Sequence, residues 1–124
     1  MSDARDAVVA RLEDYIRAFE TGTREDLQAF CQLPVAYVTD TEVQLRRRYP
    51  FDPVALREKT GLHRSEMRID VLHVDAHRAH VALEGTRLRE DGSVIEGIEA
   101  VYFLHHLDGE WKITLISGIR KDPG

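Results

Sequence analysis

Residues 67–119 read MRIDVLHVDAHRAHVALEGTRLREDGSVIEGIEAVYFLHHLDGEWKITLISGI. Met67, Ile69 and Val71 alternate with Arg68 and Asp70 up to about Val74, which is the pattern of a strand with one face toward a core. Asp75-Ala76-His77 is short enough to reverse the chain into a second strand near residues 78–89, and Glu90-Asp91-Gly92-Ser93 turns it again. A third strand covers 95–107, Asp108-Gly109 turns it, and 111–119 forms the last. The stretch therefore predicts a meander of four antiparallel strands.

What precedes it is helical. Val8, Leu12, Tyr15, Ile16 and Phe19 recur at spacings of three and four and share one face of an amphipathic helix. Gly22 suits its C-terminal end, and Thr23 with Asp26 forms a capping box that starts a second short helix near Arg24, carrying Leu27 and Phe30 inward. Pro34 bars a helix, and Val35 to Thr39 is β-branched and aromatic enough for a strand. Residues 41–50 read as an irregular or edge-strand segment. Asp52-Pro53 pairs an N-cap with a first-turn proline, so Val54 to Thr60 should be a short helix ending at Gly61. Helices grouped before an antiparallel sheet make an α+β protein, not the alternation that builds a parallel phosphate-cradling sheet.

The 124 residues suffice for one domain over 1–124, with 43% hydrophobic and 31% charged residues. The net charge of -5 argues against a binder of nucleic-acid backbones. No apolar run approaches a membrane span, and MSDARDAVVARL lacks the apolar core of a signal peptide, so a cytoplasmic protein is expected. Cys31 has no intrachain disulfide partner and reads as a small core filler.

Tyr15-Ile16-Arg17-Ala18-Phe19-Glu20-Thr21-Gly22, Asp26-Leu27-Gln28-Ala29-Phe30, Tyr37-Val38-Thr39-Asp40 and Asp108-Gly109-Glu110-Trp111-Lys112-Ile113 together resemble the nuclear transport factor two-like superfamily, which also contains ketosteroid isomerase, scytalone dehydratase and the SnoaL-like cyclases. The resemblance covers nearly the whole chain. It implies a cone-shaped domain whose N-terminal helices pack on a strongly curved, mostly antiparallel sheet enclosing a pocket. Compared with ketosteroid isomerase, Tyr15 matches the oxyanion-hole tyrosine and Asp40 the general base, while Phe103 falls where a protonated aspartic acid would stand and cannot donate its hydrogen bond. The isomerase proper is therefore not what the resemblance implies.

Four residues are candidates for chemistry. Tyr15 could donate to a ligand carbonyl, or could be a packed core tyrosine on the stripe of Leu12 and Phe19. Asp40 could be a base, or could cap the loop at Thr39-Asp40-Thr41. Glu99 interrupts an apolar run and shares a side with Phe103 and His105, so it could supply the missing acid from within a pocket, or could pair with Arg87 or Arg89. His105 titrates in the range of a pocket acid or base, or is a half-exposed strand residue. The other histidines lack metal-ligand spacing, so neither metal nor cofactor is expected. Arg46-Arg47-Arg48 could receive a ligand anion at the cavity mouth or serve as a solvated edge.

Both parities of the last two strands are apolar, so the outer sheet face is expected to pack on a second copy in a homodimer. The expected function is a pocket for a small apolar carbonyl or hydroxyl compound, with cofactor-free isomerase, dehydratase or cyclase chemistry. Its alternative is a noncatalytic homodimeric ligand-binding or dimerisation module.

Overall fold

The structure, a computed structural model, describes residues 3–121, and of Arg120 and Lys121 only the backbone. Its elements run α1 (Ala4–Thr21), α2 (Arg24–Gln28), β1 (Cys31–Val38), β2 (Val43–Arg46), α3 (Pro53–Thr60), β3 (Leu62–Val74), β4 (Arg78–Arg89), β5 (Val94–Leu107) and β6 (Glu110–Lys121). All six strands join one sheet in the order β2-β1-β6-β5-β4-β3, and three helices complete the α+β architecture.

Local chemistry sets the helix ends. The Asp3 carboxylate accepts from the Asp6 amide at the start of α1, and Val8, Leu12, Tyr15 and Phe19 form its buried stripe. At α2 the Thr23 and Asp26 side chains satisfy each other's backbone amides as a capping box. Asp52 accepts from the Ala55 amide, Pro53 occupies the first turn of α3, and Gly61 ends that helix in the left-handed region at φ 76°.

The meander β3-β4-β5-β6 pairs antiparallel, as its short turns require. Residues 41–50 include the edge strand β2, which hairpins onto β1. Two details depart from the sequence reading. β3 begins at Leu62 rather than Met67, and β1 begins at Cys31 instead of after Pro34. Pro34 is tolerated there because the β1–β6 ladder is irregular between Cys31 and Ala36, so no amide is demanded of it. The sequence leaves the partner of β1 open: this strand lies parallel to β6 and extends the sheet beyond the meander, which keeps the sheet mostly antiparallel.

The core lies between α1 and the inner sheet face, where Val81, Leu83, Tyr102, Leu104, Ile113 and Ile116 meet the α1 stripe. The face assignment follows from register: Ala100 stands between Leu83 and Gly118, and Tyr102 between Val81 and Ile116. Helices cover one part of this inner face; the remainder, beside α3, is open.

Candidate functional site

That open part is a cavity of about 740 Å³ walled by α3, by Phe19 at the end of α1, by Tyr37 on β1, and by Arg87, Glu96, Ile98, Ala100, Tyr102 and Ile116 from the inner sheet face. Phe51 closes another side. It meets Phe19, Tyr37 and Tyr49 edge to face with centroids 6.4, 5.5 and 5.4 Å apart, and Arg24 Nε donates to its carbonyl at 3.0 Å. Gln28 on α2 holds the next turn of this segment, its Oε1 accepting from the Tyr49 amide at 3.0 Å.

Beneath the cavity three tyrosine hydroxyls form a chain. Tyr15 stands in the middle, hydrogen-bonded to Tyr49 on one side and to Tyr102 on the other, the latter at 3.2 Å. All three are buried, and only Tyr102 reaches the cavity wall. Burial raises the pKa of each phenol, those of Tyr15 and Tyr49 well above the ordinary value. For Tyr102, the hydrogen bond with Tyr15 and the nearby Arg87 charge oppose that rise.

Arg87 and Glu96, opposite each other on β4 and β5, contribute a charge pair at 3.4 Å with each side chain 13% exposed. The Arg87 guanidinium also lies over the Phe19 ring, 4.6 Å from its centroid. Its Nε is buried and has no hydrogen-bond partner among the described residues. At the mouth stand Arg24, Lys59, Asp40 and Asp52.

The four residues singled out from sequence do not converge. Asp40 lines the cavity but is exposed at its mouth. Tyr15 lies behind the wall, touching the cavity only through Tyr102. Glu99 and His105 do share a sheet face with Phe103, and it is the outer face, turned away from the cavity. Glu99 stands opposite Glu84 and Ile119 and lines a shallow outer groove with Arg68 and Asp70. His105 Nδ1 bonds Thr114 Oγ1 at 2.8 Å. Parity groups these residues correctly, but both parities of β5 are apolar, so parity did not reveal which set faces inward. The inward set, Glu96, Ile98, Ala100, Tyr102 and Leu104, carries the polar groups the sequence reading overlooked. Arg87, considered there as a partner for Glu99, pairs with Glu96 instead. Among the described residues no group of three or more His, Cys, Asp or Glu side chains is placed to hold a metal ion.

No protein-family model and no curated protein matches the chain. Solved structures do. A Nostoc punctiforme domain of unknown function with a cystatin-like fold superposes with a TM-score of 0.75 at 18% identity, covering 98% of this chain and 80% of that one. A nuclear transport factor two-like protein of unknown function from Silicibacter pomeroyi gives 0.64 at 16% identity, covering 98% and 100%. The chain has the nuclear transport factor two-like fold. A Novosphingobium aromaticivorans protein named as a candidate scytalone dehydratase shares this fold too, at TM-score 0.65 and 13% identity over 94% and 83% of the two chains. At such identities the likeness speaks for the architecture, and the fold hosts many functions.

Proposed function

We propose that this chain binds a small, largely apolar molecule carrying a carbonyl or hydroxyl in the cavity beside α3, and that it does so as a homodimer associated through the outer sheet face. The cavity carries the reading. Its volume of about 740 Å³ falls within the range of roughly 300–1,000 Å³ typical of ligand sites. Its walls combine aromatic rings with a few fixed polar groups, the composition that binds apolar bodies while orienting one oxygen. A module that used the fold for dimerisation alone would have no need to keep this volume unfilled by side chains.

Asp40 is the acid at the mouth that could move a proton on a bound molecule, in isomerase, dehydratase or cyclase chemistry without a cofactor. The likeness to the candidate scytalone dehydratase supports that chemistry only as a precedent for the fold.

A ligand-observed NMR screen of neutral aromatic and alicyclic fragments tests the binding reading, comparing wild type with Ala100→Phe, which projects a ring into the cavity. Saturable binders are expected for wild type and should be lost in the filled variant. Fragments that bind both proteins equally, or no binder at all, would sink the reading. Once a turned-over compound is found, activity that survives Asp40→Asn would eliminate Asp40 as the base.

A further inference from the structure

The hydroxyl chain beneath the cavity has a direction. Tyr49, Tyr15 and Tyr102 bring three O–H donors to two hydrogen bonds, so one proton is left over. If Tyr102 donated to Tyr15 and Tyr15 to Tyr49, the surplus proton would sit on Tyr49, which is fully buried. If both neighbours donated to Tyr15, it would sit on Tyr15, equally enclosed. Either arrangement strands a buried donor, which native structures rarely tolerate. The remaining arrangement, Tyr49 to Tyr15 to Tyr102, leaves the free O–H on the residue that lines the cavity.

A second observation points the same way. Arg87 lines the same cavity and keeps a buried Nε–H with no acceptor among the described residues. An arginine has only donors to offer. Tyr102 thus has a bond to give on this wall, and Arg87, although its Nε lies out of reach of the cavity, adds a guanidinium that can only donate, so their complement is an oxygen that accepts. The described charges around the cavity balance, with Arg24, Lys59 and Arg87 against Asp40, Asp52 and Glu96. No net field favours an ion.

We propose that Tyr102 is the residue that holds the ligand, donating its hydroxyl proton to a carbonyl oxygen with Arg87 as the second donor on that wall, and that the ligand class is a neutral carbonyl compound with a flat apolar body. This deepens the pocket reading above and rests on it. It moves the ligand-facing role from Tyr15 to Tyr102 and makes Tyr15 a positioning residue that polarises the Tyr102 hydroxyl. Phe19, Phe51 and Tyr37 supply the flat walls. The raised phenol pKa values agree, since the chain stays protonated, and so able to donate, across the neutral range.

Acetylnaphthalene and ethylnaphthalene, nearly equal in size, differ in the carbonyl and serve as probes, with naphthoate as the charged analogue. By isothermal titration of the wild-type chain, the ketone should bind about five- to tenfold more tightly than the hydrocarbon, the worth of a net hydrogen bond, and more tightly than naphthoate. In Tyr102→Phe the ketone's advantage should vanish while the hydrocarbon still binds. If that variant does not fold, the infrared carbonyl stretch of the ketone on wild type decides: it should lie below its position in a hydrocarbon solvent. Equal affinities for ketone and hydrocarbon, an unshifted stretch, or an advantage that survives Tyr102→Phe overturns the donor assignment while leaving the pocket standing. Naphthoate binding tightest overturns the neutral class. Absence of saturable binding by all three probes means that the pocket reading itself has failed.

Discussion

A Cβ placed on Gly85 would stand 1.9 Å from the Glu66 carbonyl oxygen, closer than any side chain can approach. The obstacle is the backbone of the neighbouring strand β3, which cannot swing aside as a flexible side chain would, so β3 and β4 approach where only glycine fits. Gly85→Ala should cost about 1–3 kcal/mol or more, read as a lower midpoint in urea; an unchanged midpoint would contradict this packing. Four other side chains answer to pH. Burial raises the phenols of Tyr15, Tyr49 and Tyr102, and pushes the Cys31 thiol up to about 12. The folded state holds these protons more tightly than the unfolded chain, so their contribution is complete below the unfolded pKa values and is lost as pH rises through about 9 and beyond. Each group weakens the fold by up to about 1.4 kcal/mol per pH unit until its folded pKa is reached. Denaturant melts from neutral to alkaline pH should show the decline; in a Tyr37→Phe background, which removes the one half-buried tyrosine outside the chain, tyrosinate absorbance should appear at unfolding, and early absorbance from that folded variant would argue against the buried chain. Of these residues Tyr15 was legible in sequence as both core and candidate, because the helical stripe fixes its direction. Tyr102 was not, since nothing local distinguishes it from its apolar neighbours on β5.

Among the elements, those joined by short turns were the readable ones. Period-two alternation and the Asp-Gly and Asp-Pro signals gave the meander and α3 to within a few residues, because each signal and its consequence are neighbours in the chain. The parallel contact of β1 with β6 was not readable: Cys31 pairs with Ile113 across about two-thirds of the chain, and no local pattern encodes that register. The cavity depends on how elements are tied together, through bonds that are equally non-local. Arg57 on α3 reaches back to the end of α1, its Nη1 donating to the Phe19 carbonyl at 3.0 Å and its Nη2 to the Gly22 carbonyl at 2.7 Å. Those carbonyls lie at a helix end that has no basic residue of its own in the last turn. Arg57→Met keeps the aliphatic stem and removes both bonds. Because the contacts are part-buried, a loss of about 1–2 kcal/mol is expected in a denaturant melt, along with weaker probe binding as α3 loosens from Phe19. Full stability in Arg57→Met would mean that α3 is held by its apolar contacts alone.

For the whole molecule, the outer sheet face has two largely apolar rows that cross five strands. Leu45, Ala36, Leu115, Phe103 and His80 stand in register in one, and Val43, Val38, Ser117, Val101 and Ala82 in the other. Val43 and Leu45 are 65% and 72% exposed on the edge strand β2, where a lone protein would place charge to discourage association. The next row, with Ile119, Glu99, Glu84 and Arg68, is largely charged and bounds the patch. An apolar centre with a charged margin is the anatomy of an interface, and a second copy would present the same patch about a two-fold axis. Glu99 and His105, unhelpful to a cavity they do not face, belong to this surface, so the choice of sheet face that misled the site reading is the same fact that supports the dimer. A stable association would bury about 800 Å² per partner, more than the roughly 320 Å² that two rows five strands wide span, so these rows would be its centre and the flanking rows its rim. Size-exclusion chromatography with light scattering at micromolar concentration should give twice the chain mass of 14.2 kDa. The pair Leu45→Glu and Phe103→Glu puts one carboxylate at the edge of the first row and another within it, and should yield a monomer with unchanged far-ultraviolet circular dichroism. A monomeric wild type would remove the dimer, whereas a dimer that tolerates both charges would move the interface to another face.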